Sequence, residues 1–227
     1  MDYLGKELEM FDSANIWRKY VYLLIKKYLK EDILEVGAGI GSFTNNYRDN
    51  FKNITITELD KKNIRELKRR FKKSKIKITS QYTEQVKKKF NTILYMNVLE
   101  HIKNDKKEIK SALKKLKCNG HLIILVPAHN ELFTKFDKEI GHHRRYKVNF
   151  FKKIKLKDCE IRSLNYIDCF GYFLYFLNKI FFKNEIYPSK IKIFIWDKIF
   201  IPLTFFLDFL TFYKFGKNII CIIKKTD

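Results

Sequence analysis

The chain has 227 residues, 46% apolar and 32% charged, enough for one continuous core and too few for two full domains. Its formal charge of +22 would draw polyanions, yet only eight of its 47 basic residues are arginine, and the crowding of Lys, Ile, Asn, Phe and Tyr is that of an A/T-rich coding sequence, so charge alone does not select a nucleic-acid partner. Cys118, Cys159, Cys169 and Cys221 are scattered with no C-x-x-C pair and no histidine at ligand spacing, which indicates neither a disulfide framework nor a metal site.

The first residues, MDYLGKELEMFDS, are acidic and carry no apolar run, so a cytoplasmic protein without a secretory signal is expected. Ile16 to Leu29 reads as an amphipathic helix, with Ile16, Tyr20, Leu23, Leu24 and Tyr28 at helical spacing. From Asp32 the pattern alternates: the strand DILEV, a helix to about Asp49, NITITE, the helix KKNIRELKRRF, KIKIT, a weak helix, NTILYM, the helix DKKEIKSALKKLK, and HLIILV. Five strand-like runs separated by helices predict an α/β fold with a parallel sheet covered on both faces. After Val126 the stretch PAHNELFTKFDKEIGHHRRYK has no period and reads as a loop, followed by the short helix VNFFKKI and the strands CEIRSLNYI and NIICIIKK. Between the last two strands, Phe170 to Phe215 is dense in Phe, Ile, Leu and Tyr, an apolar insertion in a single domain spanning 1–227. Its apolar runs are shorter than the roughly 20 residues a spanning helix needs.

Ligands of open α/β sheets bind beyond the carboxyl ends of the strands. The first such end is ILEVGAGIG, with Gly37, Gly39 and Gly41 closely spaced. A dinucleotide fingerprint would place a third small residue where Ser42 stands, and Glu35 would repel a pyrophosphate. A carboxylate there suits a ligand bearing an ammonium and a sulfonium, as S-adenosylmethionine does. Glu58, ending the second strand, suits a bidentate grip on ribose hydroxyls.

These segments, together with NTILYMNVLEHIKND and LKKLKCNGHLIILVPAH, resemble a class I S-adenosylmethionine-dependent methyltransferase, a Rossmann-like fold, from Trp17 to about Tyr146. The resemblance implies that Glu35 and the loop residues Gly37, Ala38, Gly39 and Gly41 line the methionine part of the donor, that Glu58 holds the ribose, and that Asn97 and Val98 meet the ligand at the end of the fourth strand. It also implies an edge position for NIICIIKK and a lid helix within residues 1–30 carrying Trp17 and Tyr20, two residues that core packing explains equally well. Where the family often carries an acid after the third strand, this chain has Ser80 and Gln81; where it has a double glycine before the fifth, this chain has Asn119 and Gly120.

Methyl transfer asks the protein to align the acceptor and, for a hydroxyl or amine, to take its proton. Candidate bases are His101, His129, His142 and His143, with His101 and His142 preferred, while His121 is assigned to structure. GHHRRY resembles the acceptor-side loop of the same family, with His129, His143, Arg144, Arg145 and Tyr146 expected to bind the acceptor and the two arginines to clamp a carboxylate or phosphate. The expected acceptor is a small molecule or a lipid- or saccharide-linked group methylated at oxygen. An RNA substrate has only the net charge in its favour, and a non-catalytic partner-binding role is the alternative of another class. The insertion 170–215, punctuated by Lys179, Lys183, Lys190, Lys192, Lys198 and Lys214, either enlarges the core or forms a peripheral membrane contact at the inner face of the membrane.

Overall fold

The computed structural model describes residues 6–181 and 187–226; Lys183 lies outside them. Two helices, α1 (Lys6–Phe11) and α2 (Asn15–Ile25), precede a sheet built from β1 (Ile33–Val36), β2 (Ile54–Thr57), β3 (Lys77–Thr79), β4 (Phe90–Met96), β5 (Leu116–Pro127), β6 (Cys159–Ile167) and β7 (Asn218–Lys225). The strand order is β3-β2-β1-β4-β5-β7-β6. The first five strands run parallel, and β7 lies antiparallel between β5 and β6. NIICIIKK is therefore an inner strand and CEIRSLNYI takes the edge, a correction with a plain cause: every residue of β7 from Asn218 to Ile223 is buried, as pairing on both sides requires.

Alternate residues of the central strands feed two cores. Ile33, Ile56, Leu94, Ile123, Leu125, Ile220 and Ile222 face α2 and α3 (Lys61–Arg70). Leu34, Ile93, Tyr95, Leu122, Ile124 and Ile223 face α4 (Asp105–Lys114) and α6 (Val148–Lys152) on the other side. The helix expected after the glycines is instead two 3-10 turns, Thr44–Asn46 and Arg48–Asn50. Its asparagines are poor helix formers, and Thr44 and Tyr47 are drawn inward to bond Glu35. Asn119 and Gly120 lie within β5, where they form an irregularity against β4; Asn119 adopts φ 59°, and a Cβ on Gly120 would stand 2.9 Å from the Lys117 carbonyl. His121 packs edge-on against Tyr28, ring centroids 5.5 Å apart.

The insertion is helical: α7 (Cys169–Phe181), α8 (Lys190–Ile195), one π-helical turn over Trp196–Phe200, and α9 (Ile201–Leu210). Two buried aspartates in this apolar stretch join it to α2. Asp197 accepts the backbone N–H groups of Ile16 and Trp17 at 3.3 and 2.8 Å, supplying the cap that Ala14 cannot. Asp208 accepts the Tyr20 hydroxyl at 2.6 Å and the backbone N–H groups of Asp168 and Cys169 at 2.7 and 3.0 Å. Tyr20 thus belongs to the core.

Tyr20→Phe removes one of the three hydrogen bonds to a buried carboxylate, and a hydrogen bond to a charged group is worth about 1.5–3 kcal/mol. A loss of about 2 kcal/mol in urea unfolding is expected with the denaturant slope unchanged; equal stability would mean that the Tyr20–Asp208 bond contributes nothing.

Candidate functional site

The direction of strand order reverses between β1 and β4, and the crevice at this switch point opens into a cavity of about 1150 Å³. One end is the loop after β1. Gly37 sits at φ +65°, and a Cβ there would lie 2.9 Å from Val98 Cγ1; Gly41 sits at φ +80°, where a Cβ would lie 2.5 Å from the Phe71 ring. The first glycine lets the loop meet the β4 exit and the second lets it meet α3. Leu8 of α1 covers Gly39, and Asp12 fastens the segment after α1 by accepting from Ser42 and from both terminal nitrogens of Arg70, at 2.8 and 3.1 Å.

Glu35 borders the cavity but is not a free carboxylate: it accepts hydroxyl bonds from Thr44, at 2.7 Å, and Tyr47, and only 2% of it is exposed. Burial pushes its carboxyl up to about 7, against the lowering effect of those two hydroxyls. Glu58 Oε1 accepts the N–H groups of Leu59 and Asp60, and its Oε2 accepts that of Gly39 at 2.8 Å. A carboxylate has about four acceptor positions, so one remains on Oε2; a bidentate ribose grip requires Gly39 to let go. Asn97, at φ 55°, and Val98 line the cavity beside Ala38, as do Trp17 and Gln81. Ser80 does not.

The other end is formed by the β4 exit and the loop after β5. His101 and His142 both line it, with ring centroids 4.7 Å apart. His142 Nδ1 donates to Asp137 Oδ1 at 2.9 Å. Asp137, within α5 (Lys135–Glu139), also receives Arg145 Nε at 2.9 Å, an Arg145 Nη at 3.1 Å, the Thr134 N–H at 2.9 Å and the Tyr175 hydroxyl at 3.0 Å. Burial alone would raise its carboxyl, but the His142 hydrogen bond and the Arg145 charge hold it well below the carboxylate range. Burial, then the neighbouring His142, lowers His101 to about 3, so this imidazole is neutral.

The rest of GHHRRY has other partners than an acceptor. Arg145 lines the cavity but is spent on Asp137, and Arg144 on Asp105 and the Lys103 carbonyl, so the expected clamp on an acceptor anion holds the chain's own carboxylates instead. Tyr146 is buried against Leu99 and Asp105, His143 is exposed outside the cavity, and His129 stacks on Tyr166 at 5.0 Å with Nε2 3.0 Å from the Gly216 carbonyl. Sequence reasoning passed over Glu100, Asp137, Tyr175 and Trp196. Glu100 adjoins a chosen histidine and Asp137 precedes GHHRRY by four residues, signals that proximity offered; Tyr175 and Trp196 come from the insertion and left none.

A carboxyl raised above its unfolded value of 4.5 contributes stability that is fully present below pH 4.5 and is lost as pH rises through about 7. Between those limits wild-type protein without added ligand is expected to lose about 3 kcal/mol relative to Glu35→Gln. Urea unfolding of both at pH 4.5 and 8 measures this, and parallel curves would refute it.

The sequence matches the family model described as a methyltransferase domain over residues 12–158. No curated protein matches it. Among solved structures it is similar to an S-adenosylmethionine-dependent methyltransferase from Clostridium acetobutylicum, with TM-score 0.63, 16% identity and 98% of each chain covered. It is also similar to the N-methyltransferase NodS from Bradyrhizobium japonicum in complex with S-adenosylhomocysteine, with TM-score 0.63, 14% identity, and 100% of this chain and 99% of that one covered. A third is the putative methyltransferase in complex with the Haloferax volcanii Trm112 activator, with TM-score 0.67, 9% identity, and 99% and 95% covered. At these identities the likeness is one of fold. The family match over well more than half of the sequence, on a sheet whose switch point carries this cavity, makes the chain a member of the class I S-adenosylmethionine-dependent methyltransferases.

Proposed function

We propose that this methyltransferase acts on an oxygen acceptor, with the donor along the glycine loop and Glu58 and the acceptor at His101 and His142. The observation that carries the reading is His142 itself, oriented by Asp137 and facing a cavity whose far end is the glycine loop. When bound, S-adenosylmethionine supplies an electrophilic methyl group on a sulfonium that leaves readily. The chain's work is alignment and proton removal. Asp137 accepts from Nδ1 of His142, which leaves Nε2 as the ring nitrogen to meet the acceptor, and neutral His101 beside it adds no competing charge. Trp17, Phe136 and Trp196 line the same cavity with aromatic rings.

A lipid-linked acceptor is favoured by a specific feature of the insertion. In α9, Ile201, Thr204 and Asp208 point inward while Leu203, Phe206, Phe209 and Leu210 are exposed; in α8, Ile193 is buried while Ile191 and Phe194 are exposed. Outward apolar residues on adjacent helices, with Lys190 and Lys214 exposed beside them, suit the interface of an anionic bilayer. No helix among the described residues is long and apolar enough to cross a membrane, so the contact proposed is peripheral.

Glu58→Ala is expected to weaken S-adenosylmethionine binding roughly 10- to 100-fold, as the loss of a hydrogen bond to a charged group implies; an unchanged calorimetric affinity would remove the ribose assignment. Vesicles containing anionic lipid should co-sediment the wild-type chain and lose most of it to the Phe206→Asp, Phe209→Asp double variant. No wild-type binding would end the membrane reading while leaving the donor site untouched.

A further inference from the structure

At the acceptor end, three donor groups from two separate loops converge. Glu100 and His101 come from the β4 exit and His142 from the loop after β5; one ligand atom from each lies within 4.8 Å of the others, and all three line the cavity. Glu100 is fully buried, and neither of its oxygens has a hydrogen-bond partner among the described residues. Its own backbone amide and His142 Nε2, 3.7 Å from Oε1, relieve it only electrostatically. A buried polar group left in this state costs on the order of 1–3 kcal/mol, more if charged, and native structures keep one where something else meets it. Arg145 acts on it only through space, its hydrogen bonds being committed to Asp137.

We propose that Glu100, His101 and His142 bind a first-row divalent cation, zinc by their donor set, with an open coordination position facing the cavity for an oxygen of the acceptor. Two imidazoles and one carboxylate form the donor set of three-ligand zinc sites that keep a fourth position open, whereas magnesium and calcium favour oxygen alone. Donors on a tetrahedral zinc stand about 3.4 Å apart. The His142–Glu100 pair at 3.7 Å is already close to that spacing, and the remaining separations, none above 4.8 Å, would have to shorten on binding. Asp137 completes the arrangement: by accepting from Nδ1 it aims Nε2 of His142 at Glu100, as outer carboxylates orient metal-binding imidazoles. The proposal rests on the reading of this end as the acceptor site and refines it, since the histidines then hold the ion that binds the acceptor oxygen instead of taking the proton themselves.

The test uses the full chain, stripped with a chelator and dialysed against zinc, with metal content and melting temperature as readouts and cobalt as a spectroscopic probe. Wild type is expected to retain one equivalent and to melt at higher temperature with zinc. Glu100→Gln and His142→Gln should each bind at least tenfold more weakly and lose the visible cobalt bands, while His143→Gln, an exposed neighbour, keeps both. Substoichiometric zinc in wild type overturns the proposal, as does one equivalent retained by the Glu100→Gln, His142→Gln double variant. Calorimetry with S-adenosylhomocysteine on the same preparations separates the two readings. Binding heat in a wild-type chain that holds no zinc overturns the ion site alone, and zinc retention without such heat overturns the donor reading alone.

Discussion

The histidine end of the cavity depends on one buried carboxylate. Asp137 takes the guanidinium of Arg145 in two bonds, the Nδ1–H of His142, the N–H that caps its own short helix and a hydroxyl from the insertion. A carboxylate removed from water is tolerable only when its lone pairs are met, and here charge-assisted bonds meet them. The consequence is geometric. A loop with no regular pattern is fastened at His142 and Arg145, and the Arg145 guanidinium lies over the Tyr175 ring, 4.5 Å from its centroid. The insertion is in this way part of the wall of the cavity as well as a surface.

Two further carboxylates do the same for the N-terminal helices. Asp197 and Asp208 interrupt an otherwise apolar run, and each is spent on backbone N–H groups at a helix start, with Tyr20 bonded as well. The N-terminal helices and the insertion therefore share polar anchors across the whole length of the chain. Leu8 and Trp17 from the N-terminal helices and Tyr175 and Trp196 from the insertion line the same cavity.

The parallel core was legible because its strands are apolar runs bounded by charged helices, and burial on both faces leaves no other reading for ILEV or HLIILV. The glycine-loop end of the cavity was legible for a similar reason: Gly37 and Gly41 act through local backbone geometry that sequence spacing records, and Glu58 bonds the same loop. The histidine end was less so. Glu100, Asp137 and His142 are chemically informative only as neighbours in space, and the partner of an arginine is not written beside it; Arg144 and Arg145 looked outward because Asp105 and Asp137 were out of view. The position of β7 escaped for the same reason, since an edge and an inner strand of this composition differ only in what flanks them.

The π-helical turn at Trp196–Phe200 joins α8 to α9 with a wider ring than its neighbours. Each residue of a regular helix advances the side chains by about 100°. Shortening this turn by one residue would straighten the path and roll α9 about its axis relative to α8. Asp208 would swing from the Tyr20 hydroxyl while the outward aromatic row turned toward the core. The turn thus sets the phase between two helices, which makes the length of this segment a stricter constraint than the identity of its residues.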